Sequence, residues 1–238
     1  DDLADRDLTA VSWVLNQNLG AERLPYRLSP GCFTAFGPAY ALLRSSFRDE
    51  RYPPRRRVSN RVLISFGGGD TAEITAAALR ALEEVGQPLT IVCILGPNAE
   101  SRAVTFRSRH AIRVLGQVQD MAQWMNWADI SVNAGGSTCW ELCCLGVPML
   151  IAVLAPNQRP GACALAEYGC AILIGDWTPG AAFPDLAPAV ECLLEHPRQR
   201  RRMASKGQEL VDGKGAVRAA RLLIETVERG SGGGNHVS

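Results

Sequence analysis

Twice in this chain a β-branched, apolar run ends in consecutive glycines and is followed by a helical pattern, and that repeated signature confines the chain to a parallel α/β fold. In the first, Arg61-Val62-Leu63-Ile64-Ser65-Phe66 leads into Gly67-Gly68-Gly69-Asp70, and Ile74, Ala78, Leu82 and Val85 then fall on one helical face. In the second, Ile130 to Val132 precedes Ala134-Gly135-Gly136-Ser137-Thr138-Cys139-Trp140-Glu141. Gly135 and Gly136 remove side chains that would keep an anion from the backbone. Ser137 and Thr138 stand where first-turn N–H groups point outward unpaired. Glu141 lies about one turn further on, in reach of hydroxyls attached to whatever phosphate the turn holds. These features point to a nucleoside diphosphate with its ribose. Taken alone, the octapeptide fits equally well an ordinary strand-to-helix turn in which Ser137 or Thr138 caps a core helix.

Elsewhere strands and helices alternate. Leu89 to Leu95, ending at Gly96-Pro97, and Ile112 to Leu115, ending at Gly116, read as strands, and Met121 to Trp127 as a helix. Val147 to Val153 is strand-like, Gln158 to Tyr168 helix-like, and Ala171 to Ile174 strand-like. Connections of this kind imply right-handed crossovers and a Rossmann-like parallel sheet covered on both faces, with ligands at the carboxyl ends of the strands. Both glycine turns, the loop from Gly116 to Met121 and the loop at Pro156-Asn157-Gln158 fall at that edge. Neither the G-x-G-x-x-G fingerprint, with its acid about 20 residues on, nor the G-x-x-x-x-G-K-[ST] loop is present, so a dinucleotide or an ATPase-type site is unsupported.

The run Asp129 to Gln158, with the Ser65-Phe66-Gly67-Gly68 turn before it, resembles the carboxyl-terminal nucleotide-binding domain of GT-B enzymes that use UDP-sugars. Four further segments are similar to those of the UDP-sugar hydrolases of pseudaminic acid synthesis, which act on a UDP-linked diacetamido-trideoxy hexose. They are Asp1-Asp2-Leu3-Ala4-Asp5-Arg6, Asn16 to Ala21, Gly37 to Arg44 and Asp212-Gly213-Lys214-Gly215-Ala216. The resemblance implies a GT-B-type domain over residues 58–229, preceded at 1–57 by the end of an amino-terminal domain and a connector, and followed by a flexible tail at 230–238. It also implies that an amino-terminal half, carrying a His general base, is missing from this chain. The activity implied is hydrolysis of a UDP-sugar with UDP as leaving group. A GT-B glycosyltransferase using a UDP-sugar donor, or a non-catalytic nucleotide-sugar-binding module, is the alternative.

Carried over position by position, the resemblance assigns Glu141 to the ribose hydroxyls and Ser137, Thr138 and the N–H groups at Gly136 to the diphosphate. Gly67, Gly68 and Gly69 let the other turn approach the ligand. Val118 reads uracil through its backbone, and Met121 packs on that pocket. Asn157 and Gln158 face the sugar, with side chains suited to hydroxyl or acetamido groups. Relatives carry Gly-Gly-Ser-Asp followed closely by Asn where this chain has Gly-Gly-Gly-Asp and then Glu73, the weakest of the sugar contacts. No catalytic base is assigned within the chain.

The rest narrows the chemistry. A net charge of +1 argues against nucleic acid as a partner. No apolar run reaches membrane-spanning length. Of the three histidines, His110 precedes a strand away from the glycine edge, His196 sits beside Pro197 and His236 lies in the Gly-rich tail. Structural or solvated roles are expected for each. The eight cysteines include no C-x-x-C pair, and Cys139, Cys143 and Cys144 have no nearby His, which argues against zinc, disulfides and a catalytic thiol, and for a reducing cytoplasmic setting. No cofactor or metal is called for. Trp124, Trp127 and Trp140 are expected to pack, and Arg55-Arg56-Arg57 and Arg200-Arg201-Arg202 to be solvated.

Overall fold

The computed structural model describes residues 3–51, 60–69, 71–96 and 108–232. Asp1 and Asp2, the Arg55 to Arg57 cluster, Asp70, Pro97 and His236 lie outside them.

The centre is a six-stranded sheet of β5 (Arg61–Ser65), β6 (Thr90–Ile94), β7 (Ala111–Leu115), β8 (Ile130–Ala134), β9 (Met149–Val153) and β10 (Ala171–Asp176). All of its pairings are parallel, and the order across the sheet is β10-β9-β8-β5-β6-β7. Its inner strands are largely apolar because both faces are covered, whereas the edge strand β7 carries Arg113 and is only partly buried. Val62, Ile64, Ile91, Cys93, Ile130, Val132 and Leu150 face α2 (Ala72–Leu82) and α6 (Leu186–Glu195). Leu63, Val92, Ile94, Met149, Ile151 and Val153 face α3 (Met121–Trp127), α4 (Thr138–Leu145) and α5 (Arg159–Tyr168). The six strands and the helices α2 to α5 agree with the sequence reading to within a few residues at their ends.

The chain leaves β5 through α2 towards β6 and β7, then returns to the other side of β5 with β8 and moves outward again. Two neighbouring strands, β5 and β8, therefore send their next helices to opposite faces. A crevice opens between their carboxyl ends, where ligands bind in sheets of this topology. Both glycine-rich turns stand at that point.

The first third of the chain is built of short pieces: β1 (Asp7–Leu8) with β3 (Arg27–Leu28), β2 (Trp13–Asn16) with β4 (Phe33–Phe36), and α1 (Ser45–Asp49). They are held by α4 and by α8 (Gly215–Gly232), which lies on β4 and the turn Pro38–Tyr40. α8 runs through Gly232, beyond the Gly230 at which a tail was expected, and residues 233–238 lie outside the described ones. Among the described residues no helix is long and apolar enough to cross a membrane.

Arg200, expected to be solvated, is buried instead. From α7 (Pro197–Leu210) its Nη1 donates to the carbonyls of Leu193 and Leu194, the latter at 2.9 Å, and so closes the end of α6. A guanidinium has enough donors to satisfy carbonyls that a helix end leaves unpaired. Trp124, Trp127 and Trp140 pack as expected: Trp140 is buried, and the other two meet edge to face at 6.2 Å.

Candidate nucleotide-binding site

Ser65 and Asn133 are register partners, so the turns that follow them leave β5 and β8 at the same height. After β5, Gly67 takes φ +95°, a conformation that favours glycine. Among the described residues a Cβ on Gly67, Gly68 or Gly69 would meet no other atom within 4 Å. Beneath it lies Gly96, which the sequence reading treated only as a strand end. A Cβ there would run into the carbonyl oxygens of Gly69 and Gly67 and the carbonyl carbon of Gly68. The Gly96 N–H also donates to Thr71 Oγ1 at 3.2 Å, fastening the start of α2 to the end of β6.

After β8 the two glycines divide their tasks. Gly136 faces open space, as expected of a residue that admits an anion. Gly135 does not. A Cβ on it would stand 3.2 Å from Gln158 Cβ and 3.3 Å from Ala162 Cβ, and its N–H donates to Ala152 at 3.2 Å. Close approach of α5, rather than room for a phosphate, is what requires glycine there. Asn133 is fully buried, and its Nδ2 donates to the Ala134 carbonyl at 2.9 Å and reaches Cys139 Sγ at 3.4 Å, bracing the turn from below.

Ser137 precedes the first residue of α4, and its hydroxyl makes no capping bond. Among the described residues no acceptor meets the N–H groups of Gly136, Ser137 or Thr138. The capping alternative for Ser137 therefore fails, and the donors are left for a ligand. Glu141, one turn on, is half-buried, and among the described residues its carboxylate has no hydrogen bond or ion pair. Burial raises its pKa above the usual carboxylate range, opposed by the positive charge of Arg44. A half-buried carboxylate without a partner is costly unless donors reach it. Ribose hydroxyls are such donors.

The remaining assigned residues sit at the same sheet edge with differing freedom. Val118 and Met121 pack against the cluster under α3 and α4. Their loop is pinned where Asp120 Oδ1 accepts the Gln123 N–H at 3.1 Å. Asn157 is exposed, and its side chain has no hydrogen bond among the described residues. Gln158 Oε1 accepts the Leu154 N–H at 3.0 Å, and its amide nitrogen makes no hydrogen bond among the described residues. Glu73 is otherwise engaged: its Oε1 accepts the Gly180 N–H at 2.7 Å and holds the loop after β10.

The two described histidines are both bonded within the fold. His110 is buried, with Nδ1 accepting from Leu89 N–H at 3.2 Å and Nε2 bonded to the Leu82 carbonyl at 2.7 Å, before β7 and so at the opposite edge. His196 is bonded through Nδ1 to the Cys192 carbonyl at 2.7 Å, between α6 and α7. All eight cysteines are free thiols. No group of three or more metal-ligating side chains occurs among the described residues. Burial pushes the Cys93 and Cys139 thiols up to about 12. Thiols so protonated are poor nucleophiles. In native protein both should therefore resist iodoacetamide while the less buried Cys32 and Cys163 react. Peptide mass mapping checks this, and equal labelling of Cys139 would mean that the α4 turn opens in solution.

Comparison with known proteins decides the family. Residues 62–215 match the model of the glycosyltransferase family 28 C-terminal domain. The chain belongs to that family. The spore coat polysaccharide biosynthesis protein SpsG of Bacillus subtilis is 27% identical over 202 residues, covering 81% of this chain and 58% of that protein. A UDP-N-acetylglucosamine–N-acetylmuramyl-(pentapeptide) pyrophosphoryl-undecaprenol N-acetylglucosamine transferase of Pseudomonas putida is 29% identical over 173 residues, covering 69% and 48% respectively. This chain thus spans less than two thirds of the length of either relative. Among solved structures, Acinetobacter baumannii MurG superposes with a TM-score of 0.62 at 18% identity, over 90% of this chain and 60% of that one. The glycotransferase of kitacinnamycin superposes with a TM-score of 0.63 at 20% identity, over 90% and 55%. The fold is that of the carboxyl-terminal half of GT-B glycosyltransferases, as the resemblance implied. The narrower expectation of a pseudaminic acid pathway hydrolase finds no counterpart among these relatives, which support the transferase alternative.

Proposed function

We propose that this chain is the donor-binding half of a glycosyltransferase that uses a UDP-sugar and works with an amino-terminal half. One observation carries the reading: the N–H groups of Gly136, Ser137 and Thr138, which no acceptor meets among the described residues, stand one turn from the half-buried carboxylate of Glu141, at the point where β5 and β8 diverge. A diphosphate fits the first and a ribose the second. Uracil is proposed to lie against the backbone at Val118, over Met121. The sugar is proposed to face Asn157 and the amide of Gln158. Gly67 to Gly69 would close over the phosphates from the neighbouring strand, while Glu73 is left out because Gly180 holds it.

In the reaction this half stabilises the negative charge that builds on the leaving UDP, through fixed backbone donors that need no reorganisation. The base that activates the acceptor is assigned to the amino-terminal half. The curated relatives supply the class of reaction, since one of them is named for transfer from UDP-N-acetylglucosamine.

Two measurements test this. UDP should raise the melting temperature of the isolated chain in a concentration-dependent way, because a ligand that binds only the folded state stabilises it by mass action. A response to ATP or NAD with none to UDP would remove the reading. With an amino-terminal half added, UDP-N-acetylglucosamine should turn over only when an acceptor is present. Rapid release of free sugar into water alone would restore the hydrolase reading.

A further inference from the structure

The turn after β2, Gln17-Asn18-Leu19, belongs to the first third of the chain, and none of the assignments above includes it. We propose that the Asn18 amide is a contact for the donor sugar, reading its hydroxyl or acetamido groups together with Asn157, an inference that rests on the UDP-sugar reading above.

The position follows from how this turn is held. Asn16, the last residue of β2, is buried, and its Nδ2 donates to the Tyr26 hydroxyl at 2.6 Å while its Oδ1 accepts the Asn18 N–H at 2.9 Å. The Asn18 carbonyl in turn accepts the Ala21 N–H at 3.1 Å, and Gln17 Oε1 accepts the Leu42 N–H at 3.0 Å. Leu19 packs on the cluster that contains Ala162 and Leu165 of α5. The backbone of Asn18 is therefore fixed at the carboxyl end of a parallel strand, the end at which ligands bind in parallel sheets, and its turn is seated against the sheet domain.

The side chain reaches the start of α5. A Cβ on Gly161 would stand 3.8 Å from Asn18 Oδ1. Gly161 lies in the first turn of α5, and the short helix Pro156–Gln158 runs straight into that turn. Asn157 and Gly161, four positions apart in this helical run, share a face. A helical Cα–Cβ bond tilts towards the amino terminus, so an atom beyond the Gly161 Cβ position lies on the Asn157 side. The start of α5 also meets the nucleotide turn, since a Cβ on Gly135 would stand 3.2 Å from Gln158 Cβ. A group carried on a diphosphate at that turn thus meets the beginning of α5 with an amide from each part of the chain beside it. An amide offers two donors and a carbonyl with two lone pairs, the complement of hydroxyl and acetamido groups. Glycine at 161 keeps the space before Asn18 clear of a side chain.

The test compares UDP-N-acetylglucosamine with UDP, which lacks the sugar, by calorimetry on the wild-type chain and on Asn18→Ala, Gly161→Ala and Gly161→Leu. Asn18→Ala should weaken the sugar nucleotide about fivefold, the worth of one neutral hydrogen bond, and leave UDP within about twofold. Gly161→Leu keeps Asn18 but fills the space before its amide, and should give the same selective loss. Gly161→Ala should not, because a methyl at 3.8 Å is an ordinary contact. Alanine and leucine both favour a helix over glycine, so neither Gly161 variant should melt below the wild type. Equal losses for both ligands in Asn18→Ala, sugar-nucleotide affinity unchanged by Gly161→Leu, or a wild-type chain that binds UDP but not UDP-N-acetylglucosamine would overturn the proposal. Failure of the wild-type chain to bind UDP would instead bring down the site reading on which it depends.

Discussion

Glu141→Ala should cost the chain roughly tenfold or more in UDP affinity while leaving a dideoxyribose analogue of UDP almost untouched. A hydrogen bond to a charged group is typically worth about 1.5–3 kcal/mol, and each 1.4 kcal/mol is about a factor of ten in affinity. The contrast between ligands matters because Glu141 is half-buried and its carboxylate has no bond of its own among the described residues. Removing an unpartnered, half-buried carboxylate relieves a desolvation cost, so the variant should melt no lower than the wild type. Calorimetry with both ligands, alongside thermal unfolding, separates the possibilities. Equal weakening of both nucleotides, or a large fall in melting temperature, would show that Glu141 supports the fold and not the ribose.

The second large effect concerns the joint between the first third of the chain and the sheet domain. Gly215→Ala should destabilise the protein by about 1–3 kcal/mol, the usual range for overpacking a filled site. At this chain length each 1 kcal/mol lowers the melting temperature by about 2–4 °C. A Cβ on Gly215 would stand 2.6 Å from both Ala41 N and Tyr40 C, close to backbone that cannot rotate away. The sign is what makes the test sharp. Gly215 opens α8 with an ordinary φ, and in an open helix alanine would be favoured by about 0.8–1.0 kcal/mol. A higher melting temperature in the variant would mean that α8 does not rest on the Pro38–Ala41 turn in solution. The neighbouring contacts agree with the close fit: Arg218 Nη1 donates to the Ala39 carbonyl at 2.9 Å and to Asp212 Oδ1 at 2.8 Å. That ion pair holds the Asp212 carboxyl down to about 2.

These contacts give a role to segments that the sequence reading carried only as a resemblance. Asp212-Gly213-Lys214-Gly215-Ala216 and Gly37 to Arg44 meet each other, Gly215 fitting against Tyr40 and Ala41.

By itself the sequence determined the elements of the sheet domain and the edge that carries its chemistry. Strands buried on both faces leave unbroken apolar runs, and Val62 to Ile64 and Met149 to Val153 show them plainly. Unpaired N–H groups at a helix start need no partner to be predicted, so Gly136, Ser137 and Thr138 were legible from their spacing after a strand. Strand order was not legible, because periodicity reports that a face is buried without saying what lies against it. Only the tertiary structure set β8 beside β5 and brought the two glycine turns together. The same limit explains the corrections. Gly135 answers to Gln158 and Ala162 on α5, Glu73 to Gly180 across 107 positions, Arg200 to the end of α6, and Gly96 to the turn above it. Except for Arg200, whose partners are six and seven positions away, the deciding partner is distant in sequence, and a residue's type states what it can bond but not which group the fold will place beside it.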